Sequence, residues 1–159
     1  MAHFLLRTTL GLLVAVSGIG SMAEAHCEVP CGIYTDQLRF GQMLEDQATI
    51  AKAVTEIGEL AEKNDPLSHN QLARWVATKD THATNIQHIV AEYFLTQRIK
   101  PGTDAASNQT YAEQLKAAHA VLLAAMKCKQ TVDPAAGDTL KQAILDLHQA
   151  YEGRVYQRM

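Results

Sequence analysis

From Asp36 to the end of the chain, apolar residues return every three or four positions, and nowhere do apolar and polar residues alternate as in a half-buried strand. That period confines the chain to helices with one apolar face each, and their boundaries are written beside it. Leu38, Met43, Leu44, Ala48, Ala51, Val54, Ile57 and Leu60 mark a first helix over Asp36 to Lys63. Asn64 breaks it, and Asp65-Pro66 supplies an N-cap followed by a first-turn proline. The second helix runs from Pro66 to Ile99 through Leu72, Val76, Ala83, Ile86, Val90 and Phe94, and Pro101-Gly102 ends it. At ~1.5 Å per residue it is roughly 45–50 Å long, a length suited to contacts between subunits. After a polar loop, Thr103 to Asn108, a third helix spans Gln109 to Lys129 with Tyr111, Leu115, Ala118, Leu122 and Met126 on one face. Asp133-Pro134 repeats the start signal for a fourth, which carries Leu140, Ile144, Leu147, Tyr151 and Val155. Four amphipathic helices with short loops predict an all-α four-helix bundle.

The residues ahead of Asp36 do not continue the pattern. Arg7, an apolar run over roughly Leu10 to Ile19, and Ala23-x-Ala25 are the three parts of an export signal cut after Ala25. The run falls short of the ~20 apolar residues a membrane-spanning helix needs, and no later stretch approaches that length. The expectation is a signal peptide over 1–25 and a single domain over 26–159, its bundle preceded by a hook at 26–34. The protein is then exported, periplasmic or extracellular, and free of the membrane after cleavage. Cleavage removes Arg7 together with Glu24, so the net charge stays at -3. There is no basic stripe with interleaved aromatics, which excludes nucleic acid as a partner. An anionic substrate would have to be drawn in by local charge.

Cut after Ala25, the chain begins His26-Cys27, and Cys31 follows four residues on. The α-amine, the His26 imidazole, the Cys27 amide nitrogen and the two thiolates are then metal donors within one short run. Thiolates are soft and an ionised amide nitrogen favours square-planar coordination, so the set suits nickel(II) or copper(II) and not tetrahedral zinc. The same donors raise electron density on the metal and open a higher oxidation state, which makes the hook a redox site. Pro30 restricts the chain before Cys31, and Gly32 permits close backbone approach after it. Tyr34 adds a phenol able to order water or a small anion. The competing reading is a Cys27–Cys31 disulfide, the ordinary expectation in an oxidising compartment. In either case Cys128 is left as a small buried apolar side chain on the third helix.

The run His26-Cys27-x-x-Pro30-Cys31-Gly32-x-Tyr34 resembles the nickel-binding hook of the nickel-dependent superoxide dismutases. The likeness continues through Met43-Leu44-Glu45-Asp46 and from Asn70 to Tyr93-Phe94. It implies a homohexamer of four-helix bundles with one nickel ion per subunit. It implies conversion of superoxide to dioxygen and hydrogen peroxide, with the metal cycling between the +2 and +3 states. The ligands carried over are His26 (amine and, in the oxidised state, imidazole), Cys27 (amide nitrogen and sulfur) and Cys31 (sulfur). Tyr34 becomes a phenol at the substrate approach, with Tyr93 near it. Glu45 becomes the first-helix carboxylate that orients the imidazole, given a small insertion after Tyr34. His82 falls where members of that family place an arginine that supports the imidazole–carboxylate pair across a subunit interface.

The remaining histidines, His69, His82, His88, His119 and His148, read from their own surroundings as surface or interface residues. No glutamate has a histidine three residues later, which excludes the di-iron site of other four-helix bundles, and there is no His-Glu-x-x-His. Two alternatives to an enzyme remain. One is an exported nickel- or copper-binding module without turnover, and the other is a structural exported bundle closed by a Cys27–Cys31 disulfide.

Overall fold

The computed structural model describes residues 35–157. Helices α1 (Asp36–Ala61), α2 (Pro66–His88), α3 (Ala105–Gln130) and α4 (Pro134–Glu152) form the predicted four-helix bundle, and a π-helix, Ile89–Arg98, continues α2. α1 and α3 each pack against both α2 and α4, so the four close into a ring around one core. Asp36 lies by Tyr93 while Lys52 lies by Trp75, so α1 runs antiparallel to its successor. Among the described residues no helix is long and apolar enough to cross a membrane.

The start signals act as expected. Asp65 accepts from the backbone N–H of Leu67 and of Ser68, both at 3.0 Å, and Asp133 accepts from that of Ala135 at 3.0 Å. The proline after each cap lacks an N–H that would have had no helical partner. α1 is capped by Thr35, whose hydroxyl accepts from Leu38 N at 3.3 Å. α3, however, begins at Ala105 and not at Gln109. Asp104 accepts from Ser107 N at 2.8 Å and Ser107 Oγ accepts from Asp104 N at 3.1 Å, a reciprocal cap that turns most of the expected loop into helix.

The second departure is the end of α2. It does not stay α-helical to Ile99, because beyond His88 the hydrogen bonds reach five residues back. Ile99 N donates to Phe94 O at 2.8 Å, and the side chains follow the same step, Thr96 to Ala91 O and Gln97 to Glu92 O. Val90, Phe94 and Ile99 are all buried, a four-then-five spacing that only the wider turn keeps on one face.

The core row of α1 is Phe40, Met43, Gln47, Ile50, Val54 and Ile57, whereas Leu38, Ala48 and Ala51 are exposed. The true row passes through a polar residue, which hid it. Gln47 is buried because its amide donates to Gly137 O at 3.0 Å. On α2 the row likewise passes through Lys79 and leaves Val76 exposed. Met126 and Val155 are also exposed against expectation. Fully burying Phe40 and Phe94 contributes about 1.5–3 kcal/mol each, and their rings meet at 4.7 Å.

His148 is not a surface histidine: it is 1% exposed. Its ring packs edge-on against Phe40 and Tyr156, with Nδ1 facing Arg154 O at 3.0 Å and Nε2 facing Gln37 Oε1 at 3.3 Å. Gly153 ends α4 at a φ of 69°, the left-handed region glycine adopts without strain. The tail then turns back over α1, where Gln37 Nε2 donates to Gln157 O at 3.1 Å.

Candidate functional site

His26, Cys27, Cys31 and Tyr34 lie outside the described residues. Among the described residues no group of three or more His, Cys, Asp or Glu comes together in a way that could hold a metal. Cys128 is buried on α3, its thiol donates to Ala136 O at 3.4 Å, and burial pushes its pKa up, so it behaves as the expected small core residue.

Glu45 is exposed on α1 and lines a groove of 480 Å³ between α1 and α2, with Arg39, Gln42, Asp46, His82 and Asn85 beside it. Within this groove His82 Nδ1 meets Asp46 Oδ1 at 2.5 Å. His82 is therefore paired with the neighbour of Glu45 and not with Glu45 itself. Both partners are partly shielded, with side chains 31% and 15% exposed.

Tyr93 sits at the other end of that face, where α1 begins. Its hydroxyl donates to Asp36 Oδ1 at 2.6 Å. The second carboxylate oxygen of Asp36 accepts from Arg98 Nη2 at 2.6 Å and from the Tyr151 hydroxyl at 2.9 Å, and Arg98 Nε donates back to the Tyr151 oxygen at 3.2 Å. Three elements are tied to one carboxylate: the first turn of α1, the π-helix and the last turn of α4. The guanidinium groups of Arg39 and Arg98 stand 5.5 Å and 5.9 Å from the centre of the Tyr93 ring.

The π-helix is what makes this knot possible. Residues five apart in an α-helix point about 140° away from one another, since each step turns the chain by ~100°. In a turn closed by i→i+5 bonds the same pair comes back to within about 50°. Tyr93 and Arg98 are such a pair, and both reach Asp36.

The electrostatics follow from the contacts. Burial alone would raise the Asp36 carboxyl, but hydrogen bonds from Arg98, Tyr93 and Tyr151 outweigh it and hold the group below 3.8. Burial, and then the bond and charge of Asp36, push the Tyr93 phenol up to about 12. Burial and Asp36 also raise Tyr151, and the bond to Asp36 raises Arg98. Arg98 is thus paired with the Asp36 carboxylate, while the Arg39 guanidinium stands over the Tyr93 ring and donates to Gln42.

Of the residues singled out in the sequence, the structure describes Glu45 and Tyr93 and puts them on the same side of α1, in different clusters. Asp36, Arg98 and Tyr151 were missed as site residues. Asp36 looked like a helix-start residue and Tyr151 like part of an apolar stripe, and only the five-residue step from Tyr93 to Arg98 could have joined them.

A family model described as nickel-containing superoxide dismutase matches residues 21–154. No curated protein and no solved structure matches the chain.

Proposed function

The chain belongs to the nickel-containing superoxide dismutase family, an oxidoreductase family whose cofactor is nickel and whose substrate is superoxide, and on that premise we propose that residues 26–34 are its metal hook. The observation that carries this reading is the donor set itself, His26-Cys27-x-x-Pro30-Cys31, which lies within the matched span and directly follows the sequence Ala23-x-Ala25. It fits nickel on chemical grounds: two soft thiolates with an amine and an amide nitrogen favour nickel over harder or tetrahedral cations.

His26 contributes its α-amine and its imidazole, Cys27 its amide nitrogen and sulfur, and Cys31 its sulfur. Bound nickel supplies a one-electron couple between the +2 and +3 states, through which one superoxide is oxidised to dioxygen and a second, with two protons, is reduced to hydrogen peroxide. The residues around it do the rest. The amine serves as a donor only after the preceding peptide bond is cut and its proton, with an unperturbed pKa of ~7.7–8.0, is lost. Glu45 is the carboxylate assigned to orient the His26 ring, in the groove that also holds the Asp46–His82 pair. Tyr34 and Tyr93 are the phenols at the substrate approach, with the Arg39 and Arg98 guanidinium groups against the Tyr93 ring. Export to the periplasm or beyond, and assembly as a homohexamer with one nickel per subunit, complete the proposal.

N-terminal sequencing and metal analysis of the processed protein test it together with a dismutase assay. The expected result is His26 as the first residue, one nickel per chain and rapid superoxide consumption. A form retaining even one residue ahead of His26 should bind nickel poorly and lack activity, and full activity in that form would sink the ligand set.

A further inference from the structure

Asp36 is more than the first residue of α1. Its carboxylate collects two phenols and a guanidinium from elements far apart in sequence, and it stands two residues after Tyr34. The geometry points to Asp36 as a positioning residue for the dismutase reaction: by accepting the Tyr93 proton it keeps that phenol fixed, neutral and oriented at the first turn of α1. The inference rests on the reading of the chain as a hook-bearing dismutase and goes beyond it in naming how Tyr93 is controlled.

The chemistry runs through charge. A phenol whose proton is committed to Asp36 turns its oxygen lone pairs away from the carboxylate, where they accept from water or from another hydroxyl. Were Tyr93 to ionise, the approach would gain a negative charge that repels superoxide. Among the described residues, Asp36 and Arg39 from α1, Arg98 from its own element and Tyr151 from α4 are set against the Tyr93 ring and hydroxyl. Arg98 favours the phenolate, and Asp36 and Tyr151 oppose it. Burial and Asp36 together carry the phenol to about 12.

Asp36→Asn keeps the side-chain shape and one accepting oxygen but removes the charge. With Arg98 no longer opposed by Asp36, the late phenolate transition should move down by about one pH unit or more, within the ~1–3 range a nearby charge produces. It is read by ultraviolet absorbance on the nickel-loaded protein and assigned with Tyr93→Phe and Tyr151→Phe. In the same variant kcat/KM for superoxide should acquire an alkaline decline at the shifted transition. Adding Tyr93→Phe to Asp36→Asn should abolish that decline. Three results overturn the inference: a phenolate transition that does not move, a transition that moves while the kcat/KM profile does not, or a uniform loss of activity at every pH, which marks a merely structural role. Failure of the underlying reading looks different. The wild-type protein would then lack dismutase activity altogether while its phenol titration stayed as described, and the inference would fall with its premise.

Discussion

Lys79 of α2 donates to the carbonyl of Cys128 at 2.7 Å, near the end of α3, although its own side chain is only 3% exposed. The same ammonium reaches Lys129 O at 2.9 Å and Asp80 Oδ1 at 2.9 Å. A helix leaves its last carbonyls without partners, and here a neighbouring helix supplies a charged donor for two of them. Lys79→Met keeps the bulk and removes the donor, so it should cost about 1–3 kcal/mol of stability, the penalty for buried acceptors left unpaired. Thermal or urea unfolding measures it, and an unchanged midpoint would show that water replaces the ammonium.

The three cysteines should separate cleanly. Cys27→Ser and Cys31→Ser should each lose nickel and activity, because a hydroxyl does not replace thiolate donation. Cys128→Ser should keep the metal and most of the activity, since its thiol is buried against Ala136 O and a hydroxyl fills that place. Metal content of the three variants decides this. A Cys27–Cys31 disulfide in the active protein would contradict it directly.

His26→Gln retains the amine and both sulfurs, so nickel should still bind while turnover falls steeply. Glu45→Gln should lower turnover by the ~10–100-fold typical of groups that orient a metal ligand. Paramagnetic resonance of the oxidised protein checks the assignment, since a single His26 nitrogen bound to the metal would split the signal into three lines. If the splitting survives loss of the His26 ring with normal turnover, the nitrogen belongs to another residue.

The Asp36 knot should also shape stability at both ends of the pH scale. The Asp36 carboxyl is held below 3.8, so its contribution is complete above that value and disappears as pH falls through the lower folded pKa. Tyr93 has the opposite sense: raised from 10.0 to about 12, it contributes below 10 and is lost as pH climbs from 10 to 12. The melting temperature of Tyr93→Phe should therefore decline less between pH 10 and 12 than that of the wild type, and that of Asp36→Asn less below pH 4. Parallel curves would show that the cluster does not titrate with folding.

Helix boundaries were legible in the sequence wherever a cap and a proline stood together, as at Asp65-Pro66 and Asp133-Pro134. They failed at Asp104, because serine at the third helical position closes the cap as well as the glutamate that usually advertises it. The core rows of α1 and α2 were misread for one shared reason. Gln47 and Lys79 are polar by type but buried because each meets backbone carbonyls across the bundle, and a pattern of apolar residues does not register such partners. His148 escaped in the same way. Tyr93 was found through family likeness, but its partner Asp36 depends on a helical step of five that no propensity announces. The proposed hook is read from residue type and order alone, on which ligand chemistry depends, and it lies outside the described residues.

The reversal of the chain at Gly153 has a practical consequence. It seats Tyr156 and Gln157 over the first turn of α1, against His148 and Gln37. The two ends of the described fold are thus neighbours, and the start of α1 is held in part by the end most often chosen for a purification handle. A bulky fusion after the last helix would press on the first turn of α1, and a shortened tail would open the His148 ring to water. Samples prepared with an unmodified C-terminus are accordingly the ones in which metal loading should be measured first.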